Sequence, residues 1–277
     1  MRLRTVGAVL LVAVIAGSVA GCSSGSGGLR PEGSPRSSPP RVASSPPSEA
    51  HRPAAGDDCV TYRAGGQPVY FGPDSALAGY MYGTGRVGVV FAHQSDGDAC
   101  DWMPEAARLA KLGYRTLAVD LDGYGASQTL NRPYSDDVDD AIDLLVRRGA
   151  SPIVLVGSSM GGTVVLSAAA QTKARLAAVI ALSSPADFSG LDALEAAPHI
   201  TVPLLLMCGT QDTTFVGDVR DIYAAATATK HKRLVLADTD AHGKLLIEPG
   251  PYAGPQAYAA YTTFLATYAP PAASRGN

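Results

Sequence analysis

The most constraining feature of this chain is a regular alternation of short apolar runs with helical patterns, which begins near residue 87. The apolar runs have the length of strands and almost no polar positions, as strands buried on both faces of a sheet require. They cover residues 87–92, 116–119, 153–156, 178–182, 204–207 and 234–236. Helical patterns lie at 104–112, 136–148, 163–170, 218–228 and 256–268. The alternation predicts βαβ units, and therefore an α/β domain with a parallel sheet between two helical layers.

Local signals set the expected ends of these elements. Helix 136–148 has Ser135 as its expected N-cap, acidic residues in its first turn, arginines in its last turn and Gly149 beyond it. Ahead of the first buried strand, strand character is found at residues 60–63, 69–71 and 79–82. We expect these three segments to form antiparallel strands at one edge of the sheet.

The N-terminus has the composition of an export signal. Two arginines precede the apolar run 6–16, and small residues at 19–21 lead directly to Cys22. A membrane-spanning helix takes about 20 residues, so this shorter run predicts that residues 1–21 are a signal peptide. Val-Ala-Gly-Cys also resembles the bacterial lipobox, which implies that Cys22 is lipidated and that the exported protein is anchored at the outer face of the cell membrane. The alternative is an ordinary secretory leader in which Cys22 has no such role.

The segment 22–56 is rich in Ser, Pro and Gly and contains almost no large apolar side chain. It buries too little surface to offset the entropy of ordering it, so we predict a disordered tether. The remaining residues, 57–277, suit one α/β domain, and we expect a monomer. Without Arg2 and Arg4 of the leader, the 22 Lys plus Arg residues become 20 against 25 Asp plus Glu, a net charge of −5. This mildly acidic balance argues against nucleic acid as a partner.

Three cysteines lie within the predicted domain. Cys59 opens the domain, Cys100 lies in a polar loop, and Cys208 continues the apolar run 204–207. An exported domain can keep disulfides, so one interpretation is a Cys59–Cys100 bridge with Cys208 as a buried thiol. The other is that all three are reduced, because spacing alone does not show that two cysteines are close.

A nucleophile motif follows the strand at 153–156. The chain continues as Gly157-Ser158-Ser159-Met160-Gly161, and a helical pattern begins at 163. This is GxSxG between a strand and a helix, the context in which the motif forms a sharp turn that presents a nucleophilic serine. The glycines permit the turn, and the helix N-terminus favours developing negative charge. Ser159 occupies the central position; the alternative is a tight turn without chemistry.

Two further motifs resemble those of the α/β-hydrolase superfamily, and more loosely those of its dienelactone-hydrolase-type esterases. Residues 120–127, Asp-Leu-Asp-Gly-Tyr-Gly-Ala-Ser, are similar to the superfamily's DxxGxGxS signature, and His93 is similar to the histidine of its HG motif. The resemblance covers residues 57–277 and implies an α/β-hydrolase fold, with a mostly parallel eight-stranded sheet and helices on both faces. Gln94 stands where the HG motif has glycine, so the chain departs from the pattern in the loop that supplies an oxyanion donor.

A serine hydroxyl becomes a good nucleophile when a histidine takes its proton and a carboxylate orients that histidine. In this superfamily the chain order is serine, acid, histidine. Of the five histidines, His242 is the one that follows the last predicted strand, so it is the expected base. Asp212, after the strand at 204–207, is the expected acid. The alternatives are Asp187, after the preceding strand, and a plain capping role for the acid; for His242 the alternative is a loop histidine with no role.

These residues predict a serine hydrolase that cleaves carboxylic esters through an acyl-enzyme at Ser159. The N–H groups of Met160 and of Ser95 or Gln94 are the expected oxyanion donors. The segment 183–202 is too short for a large cap domain, which favours small or solvent-presented ester or acyl substrates. We expect no cofactor, and no metal site, since no cluster of His, Cys and carboxylate residues has ligand spacing.

Two other classes of function stay open at this point. The same catalytic groups could serve a thioesterase, a peptidase or an acyltransferase. A surface lipoprotein that binds its ligands without catalysis could also keep this fold. Such a protein would be expected to have lost part of the catalytic set, which in this chain is complete.

Overall fold

The structure, a computed structural model, describes Cys59, Arg63, residues 65–248 and residues 255–271, with the backbone alone at Pro255. The predicted signal peptide, the lipidation of Cys22 and the tether lie outside these residues. Within the described residues, no helix combines the length and the apolar character needed to cross a membrane.

Ten strands in the described part of the chain form one large sheet and one small hairpin. They are β1 (Gln67–Phe71), β2 (Leu77–Tyr82), β3 (Gly88–Ala92), β4 (Arg115–Asp120), β5 (Ile153–Ser158), β6 (Leu176–Leu182), β7 (Asp187–Phe188), β8 (Leu191–Asp192), β9 (Leu204–Gly209) and β10 (Lys232–Ala237). The large sheet has the order β1-β2-β4-β3-β5-β6-β9-β10. The pairs β1/β2 and β2/β4 are antiparallel, and the other five pairs are parallel. The predicted eight-stranded, mostly parallel sheet is therefore confirmed.

Helices cover both faces of this sheet. The α-helices among the described residues are α1 (Met103–Lys111), α2 (Tyr134–Arg147), α3 (Met160–Gln171), α4 (Ala193–Ala196), α5 (Val216–Ala225) and α6 (Pro255–Tyr268). Side chains of α2, α3 and α5 form a core on one face, and those of α1 and α6 form a core on the other. Ile153 and Leu155 of β5 face the first core, while Val154 and Val156 face the second. A strand between two cores must be apolar at each position, which explains its unbroken apolar sequence.

Two local predictions at the ends of elements are wrong. Arg63 is helical rather than part of an edge strand, while residues 60–62 lie outside the described residues. The Arg63 guanidinium donates to Sγ of Cys100 at 3.5 Å, so Arg63 lies beside the disulfide rather than in the sheet. Ser135 is not the N-cap of α2 but its buried second residue, because the helix begins at Tyr134 after Pro133. The ring of Pro133 fixes φ, and the helix begins two residues earlier than it would with Ser135 as its cap.

The segment between β6 and β9 remains small. It forms the antiparallel hairpin β7–β8, the single turn of α4 and the 3-10 turn Ala197–His199. Part of it packs against α3 and α5. Among the described residues, no cap domain is inserted at this point of the sheet, as the length of the segment predicts.

A disulfide joins Cys59 to Cys100, with Cα atoms 5.3 Å apart. Cys100 belongs to the 3-10 turn Ala99–Asp101, which precedes α1. Cys208 lies buried near the end of β9 as a free thiol. The disulfide therefore fastens Cys59 beside the loop that follows β3.

Candidate active site

Ser159 lies at a sharp turn between β5 and α3. Its backbone has φ 51° and ψ −120°, a strained conformation for a residue other than glycine, which persists where the surrounding structure enforces it. A Cβ at Gly157 would lie 2.0 Å from the carbonyl oxygen of Gly161, and a Cβ at Gly161 would lie 2.3 Å from that of Ala92. Both positions therefore require glycine, and the spacing of the motif follows from the close approach of three backbone segments.

The backbone of Ser159 is held by β6 and by the first turn of α3. Its N–H donates to the carbonyl oxygen of Leu182 at 2.8 Å, and its own carbonyl oxygen accepts from the N–H of Gly162 at 2.8 Å. The residue is 8% exposed. Helix α3 begins at Met160, where the first N–H groups have no acceptor within the helix and carry partial positive charge. Negative charge that develops on a group bound to Ser159 is stabilised at this position.

His242 and Asp212 form a hydrogen-bonded pair. Nδ1 of His242 lies 2.8 Å from Oδ2 of Asp212. The Asp212 side chain is 9% exposed and the His242 side chain 30% exposed, so the carboxylate is sheltered while the imidazole is accessible. The ring of Phe215 lies 4.6 Å from the imidazole between centroids and packs against it. Asp187, the alternative acid, is exposed in β7.

The loop that carries His242 contacts the ends of two central strands. The Gly243 N–H donates to Oγ of Ser183, directly after β6, at 3.0 Å. The Lys244 N–H donates to Oγ of Ser158, at the end of β5, at 2.9 Å, across 86 positions of sequence. Ser158 directly precedes Ser159. Lys244, two residues after His242, is thus bonded to the residue beside the nucleophile candidate.

The predicted oxyanion donors lie on two sides of the turn at Ser159. Met160 is the first residue of α3, and the end of β3 packs against Gly161. In the loop after β3, Gln94 is half-buried and its Oε1 accepts the Ser158 hydroxyl at 3.1 Å. Ser95, the next residue, is exposed. The structure therefore brings the loop of Gln94 to the strand end that carries the turn.

His93 is a buried link between two loops. Its Nδ1 lies 2.7 Å from the carbonyl oxygen of Gln94, and its Nε2 accepts the N–H of Leu121 at 3.1 Å. Burial lowers the pKa of His93 to about 4. The ring is therefore neutral near pH 7, and the two bonds place its proton on Nδ1. This histidine positions the loop after β3 rather than taking protons from a substrate.

Asp120, the first residue of the DxxGxGxS-like segment, is a buried acceptor at the end of β4. Its Oδ1 accepts the N–H of Ala99 at 2.7 Å and its Oδ2 accepts that of Ala126 at 2.9 Å. The Ser127 hydroxyl donates to its carbonyl oxygen at 2.6 Å. This side chain therefore joins the segment before α1 to the loop after β4. Burial raises the pKa of Asp120 to about 6, against the lowering effect of the two N–H groups.

Asp120→Asn should change the pH dependence of stability. Because the pKa of Asp120 is raised in the folded state, its contribution to stability is fully present below about pH 4 and is lost as the pH rises through about 6. The free energy of unfolding of the native protein, measured relative to Asp120→Asn by urea denaturation, should therefore fall by about 2 to 3 kcal/mol between pH 4 and pH 7. A difference that is constant with pH, or that grows as the pH rises, would contradict this.

Buried acids elsewhere bind backbone N–H groups. Asp122 accepts the N–H of Leu130 at 2.6 Å, and Asp137 accepts the N–H of Asp122 at 2.8 Å. Among the residues that the structure describes, no three or more His, Cys, Asp or Glu side chains come together as metal ligands do. The acidic residues after β4 thus have a structural explanation in hydrogen bonding.

Sequence reasoning did not predict the hydrogen bonds that three buried residues make at the site: Ser158, Ser183 and Cys208. Ser158 stands within the motif, but its hydroxyl partners lie in two loops distant in sequence. Ser183 has φ 49°, a conformation that cannot be predicted from a serine in the sequence. The thiol of Cys208 donates to Oδ2 of Asp212 at 3.6 Å, and its place four residues before the acid was the one available signal.

Sequence comparison finds a match for the central part of the chain. A family model for the alpha/beta hydrolase fold matches residues 89–198, which include Ser159 but neither Asp212 nor His242. The 2-succinyl-6-hydroxy-2,4-cyclohexadiene-1-carboxylate synthase of Escherichia coli is 38% identical over 93 residues, or 33% of this chain. The matched segment spans 36% of the length of that enzyme.

Solved structures share the fold over a longer stretch. An esterase of Pyrococcus furiosus matches with a TM-score of 0.67 at 19% identity, covering 78% of this chain and 95% of that one. A protein assigned as a dienelactone hydrolase from Klebsiella pneumoniae matches with a TM-score of 0.58 at 16% identity, covering 73% and 97%. Identities this low bear on the fold alone. With the family model and the observed strand order, they show that this chain has the α/β-hydrolase fold.

Proposed function

We propose that this protein is a serine hydrolase that cleaves carboxylic esters through an acyl-enzyme on Ser159. The observation that supports it most is the arrangement of one strained serine, one histidine and one carboxylate. Ser159 lies at the head of α3, His242 is bonded to Asp212, and the loop of His242 is bonded to the neighbour of Ser159. An imidazole that a carboxylate orients is the base that activates a serine hydroxyl for acyl transfer.

The proposed mechanism assigns one role to each group. Nδ1–H of His242 donates to Asp212, which leaves Nε2 with a lone pair to take the hydroxyl proton of Ser159. Oγ attacks the carbonyl carbon, and the N–H of Met160, together with that of Gln94 or of the adjacent Ser95, binds the oxyanion. The imidazolium gives its proton to the leaving alcohol. Water, deprotonated by the same imidazole, then hydrolyses the acyl-enzyme and restores the serine.

The proposed substrates are small esters or acyl groups presented by solvent. The segment between β6 and β9 contains the β7–β8 hairpin and short helical turns, which favours an open site over an enclosed acyl channel. The names of two structural neighbours, an esterase and an assigned dienelactone hydrolase, agree with this class. A panel of chromogenic esters, thioesters and amides tests it, and we expect the esters to react fastest. Faster cleavage of thioesters or amides would reassign the activity to a thioesterase or a peptidase.

Covalent labelling by a fluorophosphonate, followed by mass mapping of the modified peptide, tests the proposed nucleophile. We expect the label on Ser159, because an activated serine attacks phosphorus as it attacks an acyl carbon. A label on another serine would identify that serine as the nucleophile in place of Ser159. A folded protein that takes no label and hydrolyses no acyl compound would favour a binding lipoprotein without catalysis.

We also propose that the protein is exported and is anchored by a lipid on Cys22 to the outer face of the cell membrane. The apolar run and the small residues before Cys22 support this. Cys22→Ser should move the protein from the membrane fraction to the soluble exported fraction, as judged by immunoblot. A version that begins at Asp57 should keep its hydrolase activity, because the proposed site lies beyond it. Retention of Cys22→Ser on the membrane would contradict the anchor.

A further inference from the structure

The loop of His242 is held by two serines that are themselves fully buried. Ser158 ends β5 and Ser183 follows β6, and these two strands are neighbours in the sheet. Their hydroxyls accept the consecutive N–H groups of Lys244 and Gly243, at 2.9 and 3.0 Å. Both serines therefore bind the backbone immediately after the catalytic histidine candidate. We call this pair the serine clamp.

One arm of the serine clamp leads to Asp212. The Ser183 hydroxyl donates to Sγ of Cys208 at 3.7 Å, and the Cys208 thiol donates to Oδ2 of Asp212 at 3.6 Å. The same Oδ2 lies 2.8 Å from Nδ1 of His242, so these hydrogen bonds lead from the residue after His242 back to its imidazole. Burial raises the pKa of the Cys208 thiol to about 12, so it stays protonated and can donate. The histidine loop and the carboxylate are thus held by one set of hydrogen bonds.

The other arm leads to the loop that follows β3. The Ser158 hydroxyl donates to Oε1 of Gln94 at 3.1 Å. Gly243 has φ 56°, and a Cβ there would lie 2.1 Å from Oγ of Ser158. The histidine loop therefore approaches the end of β5 so closely that glycine is required beside His242. This arm joins the histidine loop to the loop of the predicted oxyanion donors.

We propose that Ser158 and Ser183 are positioning residues that fix His242 relative to Asp212 and to the loop of Gln94. The proposal rests on the proposed function, because it concerns the same histidine. A catalytic imidazole must be held within about 0.5 Å of its working position. His242 directly precedes the 3-10 turn Gly243–Leu246, and the backbone hydrogen bonds of that turn, such as the one from the Leu245 N–H to the His242 carbonyl oxygen at 3.2 Å, are local. Two buried hydroxyls on adjacent strand ends supply that precision from the rigid centre of the sheet.

Steady-state kinetics of four alanine variants test the proposal. Ser183→Ala and Ser158→Ala should each lower kcat by about 10- to 100-fold while KM changes by less than about twofold, because a displaced imidazole impairs proton transfer more than substrate binding. Cys208→Ala should lower kcat in the same way, and Cys208→Ser, which keeps a donor, should restore most of it. The matched control is Ser184→Ala, whose buried Oγ has no hydrogen-bond partner among the described residues. Its kcat should stay within about twofold of the native value.

Ser183 and Cys208 are consecutive members of one chain of hydrogen bonds that ends at Asp212, and this gives a second kinetic test. The double variant Ser183→Ala/Cys208→Ala should lose about as much kcat as Ser183→Ala alone. Either single substitution already interrupts the hydrogen bonds from Ser183 through Cys208 to Asp212, so the second adds little. Equal losses in Ser184→Ala and the clamp variants, or losses that fall on KM instead of kcat, would overturn the proposal. If Ser183→Ala does not fold, as judged by circular dichroism, then Ser158→Ala and the two Cys208 variants carry the same test.

An NMR signal separates failure of the serine clamp from failure of the proposed function. The Nδ1–H of His242, bonded to Asp212, should give a downfield proton signal, assigned by its loss in His242→Gln. The signal should broaden or vanish in Ser183→Ala and persist in Ser184→Ala, whether or not the protein hydrolyses esters. Persistence in both variants would overturn the clamp. Absence of fluorophosphonate label and of hydrolysis in the native protein would instead overturn the proposed function.

Discussion

Ser159→Ala should lower kcat/KM for ester hydrolysis by about 10⁶-fold and abolish fluorophosphonate labelling. The methyl group has no lone pair to attack the carbonyl carbon, and no other hydroxyl occupies the turn between β5 and α3 in the described structure. The backbone there is fixed by the Leu182 carbonyl and by Gly162, so alanine should keep the same conformation. The rate of hydrolysis would then fall to the residual rate that the oxyanion donors and substrate binding support without a nucleophile. Initial rates and mass mapping of the labelled protein measure both losses.

Matched controls separate this loss from a general effect of removing a buried hydroxyl. Ser184→Ala should keep both activity and label, because its hydroxyl has no hydrogen-bond partner in the described residues. Ser158→Ala should react more slowly but still carry the label on Ser159. A folded Ser159→Ala protein that keeps more than about a hundredth of the native kcat/KM, a far smaller loss than the nucleophile implies, would show that another residue is the nucleophile.

The sheet could be predicted from sequence because its central strands lie between two cores. Alternate residues of β5 enter opposite cores, and this leaves an unbroken apolar run that is visible without any structure. The same reasoning fails where local chemistry competes with tertiary contacts. Arg63 follows the disulfide-bonded Cys59 and packs near Cys100 rather than pairing in the sheet, and the helix at Tyr134 starts from the fixed φ of Pro133 rather than from Ser135.

The candidate site shows the same division. Ser159 could be located from sequence because its strand, its glycines and its helix are contiguous along the chain. The serine clamp could not, since Ser158 and Lys244 are 86 positions apart and Ser183 and Gly243 are 60 apart. A serine hydroxyl has several possible partners, and sequence does not say which backbone N–H arrives beside it. Sequence also left two candidates for the acid, because Asp187 and Asp212 each follow a strand at the same edge of the sheet.

Asp212→Asn is the experiment that decides between these two acids. The amide has the size and shape of the carboxylate, so folding should change little. Its NH₂ group, however, donates where the carboxylate accepted. Nδ1 of His242 would then be the unprotonated nitrogen and Nε2 would carry the proton, which leaves no lone pair for the hydroxyl of Ser159. We expect kcat to fall by about 10⁴-fold.

The matched control for this experiment is Asp187→Asn. Asp187 is exposed, and its place in the hairpin is set by backbone pairing of β7 with β8, to which the side chain charge contributes little. Its kcat should therefore stay within about twofold of the native value, as for surface substitutions away from a site. Rapid-mixing measurement of acylation with a chromogenic ester compares the two variants at the step where His242 takes the proton of Ser159. If Asp187→Asn acylates more slowly than Asp212→Asn in folded protein, the carboxylate that orients His242 during turnover is Asp187, and the hydrogen bond between His242 and Asp212 is not the catalytic one.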